Sequence, residues 1–326
     1  MQANSDQTAR ALWITQAGKP ALLDTVLGDS PDGVRIKTLY SGISRGTERL
    51  VFRGQVPKAE FDTMRAPFQE GSFEFPVKYG YAAVGSIQSG PRAGELVFAL
   101  HPHQTQFSVP SSAAIPITPS VPPARAVLAA NMETALNVLW DAGLGAGSRV
   151  TIVGAGVVGA LTGYLYARMP GTEVCLVDTN PDRATIAQQL GCDFAHPDQV
   201  PQNSDVVIHS SATSAGLATA IAAAGVEATI VETSWYGTQP TTVPLGGAFH
   251  RKRLRIISSQ VGRIPAHMAA RWTYGKRLRK AIDLLADPVL DALISGETEF
   301  DDLPQSYEAI LDASSTLCHR IRFARD

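Results

Sequence analysis

The sequence predicts an α/β protein: a doubly wound parallel sheet joined to a second, β-rich domain. Three observations predict it. Strand and helix patterns alternate through the middle of the chain, as a parallel sheet requires. A glycine-rich turn, Gly154-Ala155-Gly156-Val157-Val158-Gly159, links one of those strands to one of those helices. Ahead of this stretch, short apolar runs separated by Gly and Pro read as strands.

Taken in order, residues 11–15 and 34–40 read as strands, the second by its alternation, and residues 81–87 and 95–100 as two more. Residues 110–123 are proline-rich and read as a surface run between domains. From Ala124 the pattern turns helical. A strand at Val150 and a helix to Met169 come next, then a strand over 173–177 and a helix opening at Pro181, a residue favoured in the first helical turn. Residues 205–209 read as a strand, Ser214 as the start of an alanine-rich helix, and residues 228–233 and 254–257 as further strands. After Gly262 the chain reads as helical and returns to the first domain. The expected domains are therefore 1–123, 124–262 and a return segment, 263–326.

Composition narrows the function classes. The 326 residues are 44% hydrophobic and 18% charged, with a formal net charge of -2. That balance argues against nucleic acid or a membrane surface as the main partner. No apolar run approaches the ~20 residues a membrane helix needs. The N-terminal residues 1–7 lack the basic and apolar regions of a secretory signal and read as a frayed tail. The three cysteines, Cys175, Cys192 and Cys318, are far apart and fit a reducing cytoplasm.

The glycine turn carries the first chemical expectation. Gly154 allows a tight turn, Gly156 leaves room for a pyrophosphate, and Gly159 lets helix and strand approach. The N–H groups opening the helix, at Val157 and Val158, offer positive dipole to phosphates. Asp178 closes the next strand, about 20 residues on, where a ribose 2′-hydroxyl is expected. A carboxylate there accepts from ribose hydroxyls and repels a 2′-phosphate, which points to NAD rather than NADP. Arg183, shortly after, reads as lining the adenine side, with a solvated helix charge as the plain alternative.

A β-rich first domain, a central dinucleotide fold and a return to the first domain together resemble the medium-chain dehydrogenase/reductase superfamily. Ser41-Gly42-Ile43-Ser44-Arg45-Gly46-Thr47-Glu48 resembles the family's G-I-C-x-T-D loop, and Lys78-Tyr79-Gly80-Tyr81-Ala82-Ala83-Val84-Gly85 its G-H-E-x-x-G segment. Gly94-Glu95-Leu96-Val97 stands where the family has G-D-R-V. The resemblance implies a Rossmann sheet beside a GroES-like catalytic domain. It also implies a change of chemistry. The zinc-binding cysteine falls on Ser44 or Arg45, the histidine on Tyr81 and the glutamate on Ala82, which are poor zinc ligands. The four-cysteine structural zinc lobe is absent. The expectation is a zinc-independent member, most similar to the bacteriochlorophyllide dehydrogenase branch and the threonine- or alcohol-dehydrogenase-like enzymes around it.

Without zinc, hydrogen-bond donors must polarise the substrate carbonyl. Thr47 matches the family's proton-relay hydroxyl, and Tyr81, with a lowered pKa, would serve as general acid and base. Glu48 would orient Tyr81 or Arg45. The plain alternatives are that Ser44 or Thr47 caps the short helix over 48–52 and that Tyr81 fills the metal's space. Thr134 is expected near the nicotinamide, and Glu133 in an interdomain ion pair. His101 and His103 read as local hydrogen-bond partners rather than metal ligands. Trp235 and Tyr236 follow a strand at its ligand-binding end, where they shape a pocket or pack across a cleft. The basic runs 250–255 and 271–280 read as solvated faces.

The function expected is an NAD-dependent oxidoreductase interconverting a secondary alcohol and a ketone. Its partners are a small-molecule substrate and a second copy of the chain, since an open sheet leaves an edge strand to cover. The alternatives are an NADPH-dependent quinone or enoyl reductase and a non-catalytic dinucleotide-binding protein.

Overall fold

A computed structural model describes residues 8–28, 32–143 and 145–324. The expectation for residues 1–7 lies outside them. Among the described residues the strands are β1 (Thr8–Gln16), β2 (Lys19–Val26), β3 (Gly33–Ser44), β4 (Glu70–Gly71), β5 (Val77–Lys78), β6 (Ala83–Ile87), β7 (Leu96–Ala99), β8 (Gln106–Pro110), β9 (Ile115–Pro116), β10 (Arg149–Val153), β11 (Glu173–Val177), β12 (Asp193–Ala195), β13 (Ser204–His209), β14 (Ala224–Glu232), β15 (Arg255–Ser258), β16 (Ile294–Glu299) and β17 (Cys318–Arg322). The α-helices are α1 (Arg45–Phe52), α2 (Pro123–Ala126), α3 (Ala129–Ala142), α4 (Val157–Tyr166), α5 (Arg183–Leu190), α6 (Ser214–Ala223), α7 (Ala266–Ala269), α8 (Tyr274–Asp283) and α9 (Leu303–Asp312).

The chain divides into two compact units. The first runs to Ala130 and resumes at Leu278–Pro288 and from Ile294; the second is Asn131–Arg277 with Val289–Leu293. These divisions fall inside α3 and α8, several residues beyond the linkers at 123 and 262 that composition suggests. Apolar helix sequence carries no composition break at the point where packing changes.

The second unit is the α/β fold expected. Its sheet runs β12-β11-β10-β13-β14-β15, and every neighbouring pair is parallel. Helices cover a parallel sheet, so its strands are apolar without alternation: in β10, Val150, Ile152 and Val153 are all buried. Val177, Val207, Leu217 and Ile230 join one core cluster, each contributing about 1.5–3 kcal/mol on burial. α6 opens at Thr213, whose hydroxyl accepts from the Gly216 N–H at 3.0 Å. α5 begins at Arg183 rather than Pro181; Pro181 lies just outside, and its carbonyl accepts from the Ala184 N–H. Gly191 ends that helix in the left-handed region.

The first unit carries a sheet ordered β16-β17-β3-β6-β7-β9, with β8 also on β3, and a second sheet ordered β2-β1-β5-β4. Ile36, Ile87, Val97, Phe107 and Val109 fill one core cluster. Two expectations are corrected here. The chain beyond Gly262 is not helical throughout: β17 pairs antiparallel with β3, placing Cys318 opposite Ser44. The proline-rich run is not all surface, since Ala114, Ile115 and Val121 are buried. A charged strand such as Glu297–Glu299 has too little apolar pattern to announce itself.

Candidate active site

In the first unit β3 runs directly into α1. The apolar residues Leu50, Val51 and Phe52 bury one face of this short helix, and Phe52 meets Tyr307 edge-on at 5.4 Å. That packing points Glu48 inward, where it is 1% exposed. A carboxylate so placed needs donors, and it has three. The Ser44 N–H reaches Oε1 at 2.7 Å, while His103 Nε2 at 3.0 Å and the Tyr307 hydroxyl at 2.6 Å reach Oε2. Carboxylate oxygens only accept, so Nε2 of His103 carries a proton. Nδ1 of the same ring pairs with Ser41 Oγ at 2.8 Å.

The structure brings Ser44, Thr47 and Tyr81 together: both hydroxyls lie near enough to the Tyr81 phenol to pull its pKa down. It corrects what Tyr81 does there. Burial is the main cause pushing its pKa up to about 12, against the downward pull of the two hydroxyls. Tyr81 is therefore a protonated donor at neutral pH and not an activated base. Glu48 reaches Tyr81 through charge alone, raising its pKa, while Arg45 Nε donates to the Leu311 carbonyl. Ser44 does occupy the cap position of α1, but its side chain makes no cap bond. Thr47 lies within the helix.

His101 bonds locally, its Nδ1–H donating to the Pro102 carbonyl at 3.0 Å. Its ring stacks on Phe107 at 3.8 Å, and burial holds its pKa down at about 3. The three cysteines are free and buried. Burial raises the thiol of Cys175 to about 11 and those of Cys192 and Cys318 to about 12. Among the described residues no three His, Cys, Asp or Glu side chains gather as a metal site.

The second unit carries the glycine turn. Gly154 has φ +104, and a Cβ on it would meet the Ser211 backbone nitrogen at 2.7 Å. A Cβ on Gly159 would lie 2.0 Å from the Gly154 carbonyl oxygen. Both positions exclude a side chain. Gly156 is different: nothing lies within 4 Å of its would-be Cβ, so it faces open space before the first turn of α4. Val157 is buried behind it and Val158 half-buried. Asp178 closes β11 and is pinned against the turn, Oδ2 accepting from the Ala155 N–H at 2.8 Å and Oδ1 from the Asn180 N–H at 2.9 Å. A carboxylate has about four lone-pair sites, so acceptor capacity remains for a ribose. Arg183 is buried at 7% exposure, which removes the solvated-charge alternative. Burial lowers its pKa while Asp178 and Asp182 pull it back. Thr134 is half-buried on α3.

Two further expectations are corrected in this unit. Glu133 pairs with Arg277 Nε at 3.0 Å, and both residues belong to the second unit, so the pair is not interdomain. Arg277 also donates to Asn137 Oδ1 at 2.5 Å and to the Val261 carbonyl. It is 2% exposed, unlike the solvated run that charge density suggests. Residues that sequence reasoning passed over as strand ends also gather at the carboxyl edge of this sheet. His209 closes β13 and Glu232 closes β14, with Nδ1 and Oε2 2.7 Å apart. The signal available was a polar residue ending each of two apolar strands at the edge where ligands bind.

No protein-family model matches the chain, and no curated protein does. Solved structures do match. L-idonate 5-dehydrogenase from Escherichia coli K-12 superposes with TM-score 0.80 at 15% identity, covering 97% of this chain and 98% of that one. A short chain alcohol dehydrogenase from E. coli CFT073, complexed with NADH, gives TM-score 0.75 at 17% identity over 98% and 100%. TarJ from S. aureus, in complex with NADPH, gives 0.74 at 14% identity over 98% and 100%. At such identities the likeness establishes architecture: this chain shares the fold of these solved structures, a Rossmann-like parallel sheet with a separate β-rich domain.

Proposed function

We propose that the protein is a zinc-independent, NAD(H)-dependent oxidoreductase that interconverts a secondary alcohol and a ketone. The observation that carries this reading is the hydroxyl cluster of Tyr81, Ser44 and Thr47. It stands at the sequence positions where the resemblance puts metal ligands and a proton relay. Neutral hydroxyls suit hydrogen bonding and serve a divalent ion poorly.

Gly154, Gly156, Gly159 and the start of α4 would hold the pyrophosphate, and Asp178 the adenosine ribose. The bound nicotinamide supplies or accepts the hydride. The chain's own part is the proton and the charge. Tyr81, protonated at neutral pH, donates to the substrate oxygen as negative charge develops there. Ser44 and Thr47 donate to Tyr81 in turn and stabilise its oxygen as it gives up the proton. Glu48, committed to His103, Tyr307 and the Ser44 N–H, holds the start of α1 in place and acts as a positioning residue. The same reading carries a small-molecule substrate, a homodimer and a cytoplasmic location.

Metal analysis combined with cofactor titration tests the proposal. Purified protein is expected to hold far less than one zinc per chain, to bind NADH more tightly than NADPH, and to reduce ketones. Stoichiometric tightly held zinc, or preference for NADPH, refutes it. TarJ's complex with NADPH shows that the fold also takes the phosphorylated coenzyme. That favours, as the second reading, an NADPH-dependent quinone or enoyl reductase, recognised by conversion of enones but not alcohols. Replacing Asp178 with Asn is expected to shift preference toward NADPH by about tenfold, the effect of removing one like-charge contact in a half-buried site.

A further inference from the structure

The carboxyl edge of the second unit's sheet holds a partly buried polar chain. Ser211 Oγ lies 2.7 Å from His209 Nε2, and His209 Nδ1 lies 2.7 Å from Glu232 Oε2. The Tyr236 hydroxyl donates to that same oxygen at 2.9 Å. The Ser234 N–H donates to Oε1 at 2.8 Å. His209 has no exposed side-chain surface, whereas Glu232 keeps 16%. Burial opposes the carboxylate's charge, yet the bonds from His209 and Ser234 outweigh it and hold its pKa below the usual value. Every donor is committed to keeping Glu232 ionised.

Strand order says what this charge faces. In the series β12-β11-β10-β13-β14-β15, Asp178 closes β11 and the glycine turn follows β10. The turn touches the end of β13 directly: the Ser210 N–H donates to the Val153 carbonyl, and Ser210 Oγ donates to the Gly154 carbonyl at 2.8 Å. A dinucleotide with its adenosine ribose on Asp178 and its pyrophosphate over the turn continues along the edge toward β13 and β14. From β11 to β14 is three strand spacings, about 14 Å. His209 and Glu232 stand there.

We infer that Glu232 is a specificity residue for the oxidation state of the coenzyme: its carboxylate favours the cationic nicotinamide of NAD+ over the neutral ring of NADH. The inference rests on the dinucleotide-binding reading above and deepens it. Held ionised by these bonds, the Glu232 carboxylate carries one negative charge at this edge. That charge attracts the pyridinium and has no counterpart interaction with the reduced ring. It also stabilises the positive charge that appears as hydride leaves NADH.

Dissociation constants for NAD+ and NADH are measured by calorimetry on the full chain at mildly alkaline pH. Wild-type protein is expected to bind NAD+ more tightly than NADH. Glu232→Gln keeps the shape and the acceptor oxygen but removes the charge, and is expected to lower that preference about tenfold. A merely structural role would weaken both ligands together and leave the ratio unchanged. Tighter binding of NADH by the wild type overturns the inference even if the variant does not fold. So does an unchanged ratio in Glu232→Gln. A wild type that binds neither dinucleotide removes the coenzyme reading itself, and this inference with it.

Discussion

The same four residue types are bonded in the same order in both units, and the two copies differ in how they are built. In the first, Ser41, His103, Glu48 and Tyr307 are joined at 2.8, 3.0 and 2.6 Å. In the second, Ser211, His209, Glu232 and Tyr236 are joined at 2.7, 2.7 and 2.9 Å. The glutamate of the first has no exposed side-chain surface; that of the second has 16%. The first gathers residues as far apart as 259 positions, while the second lies within two neighbouring strand ends and their loops. Identical chemistry therefore serves different ends. A sealed network drawn from distant segments ties the β3–α1 corner to α9. A partly open one at a sheet's ligand edge keeps a charge available.

The largest effect that separates the two networks is on stability. Glu48→Ala leaves two side-chain donors and a backbone N–H without their acceptor, and is expected to cost about 3–5 kcal/mol in urea unfolding. Glu232→Ala opens a site that water can reach, and is expected to cost about 1–3 kcal/mol. Equal costs would erase the distinction. Next comes catalysis in the first unit. Tyr81→Phe removes a donor to the developing oxyanion and is expected to lower kcat for ketone reduction by about 10²–10³. Affinity for NADH should be unchanged. A weakened NADH complex would instead give Tyr81 a binding role.

The third prediction concerns acid. His101 is held neutral, with its pKa down at about 3, whereas an unfolded imidazole titrates near 6.5. Between those values the unfolded chain binds the extra proton, so stability must fall as pH drops from about 6.5 toward 3. His101→Phe keeps a ring on Phe107 and is expected to flatten this fall, as read from midpoints of thermal unfolding across pH. The smallest effect belongs to the second unit's edge. Thr213→Ala deletes the cap of α6 and is expected to cost about 1 kcal/mol, with NADH affinity retained. A large loss of affinity would show that the cap also supports the ligand edge.

Much of the second unit was legible in the chain. Runs of β-branched residues such as Val150-Thr151-Ile152-Val153 declare buried parallel strands, and Gly154 and Gly159 stand where backbone approach leaves no room for a Cβ. Asp178 was placed correctly at the end of its strand. The first unit was less legible. The edge strands β16 and β17 mix charged and apolar residues, so their pairing with β3 left no periodic trace.

Local sequence determined the elements whose signal is local: a strand's pattern, a turn's glycines, a cap. It singled out Ser44, Thr47 and Tyr81 for the chemistry proposed for the first unit, because their motif positions are local too. Tertiary structure alone decided that Tyr81 is a protonated donor, that Arg277 is buried with Glu133, and that His103 and Tyr307 converge on Glu48. Those outcomes depend on desolvation and on partners 55 to 259 residues apart. Both arise only when the chain closes around a group, and neither leaves a mark on the residues next to it in sequence.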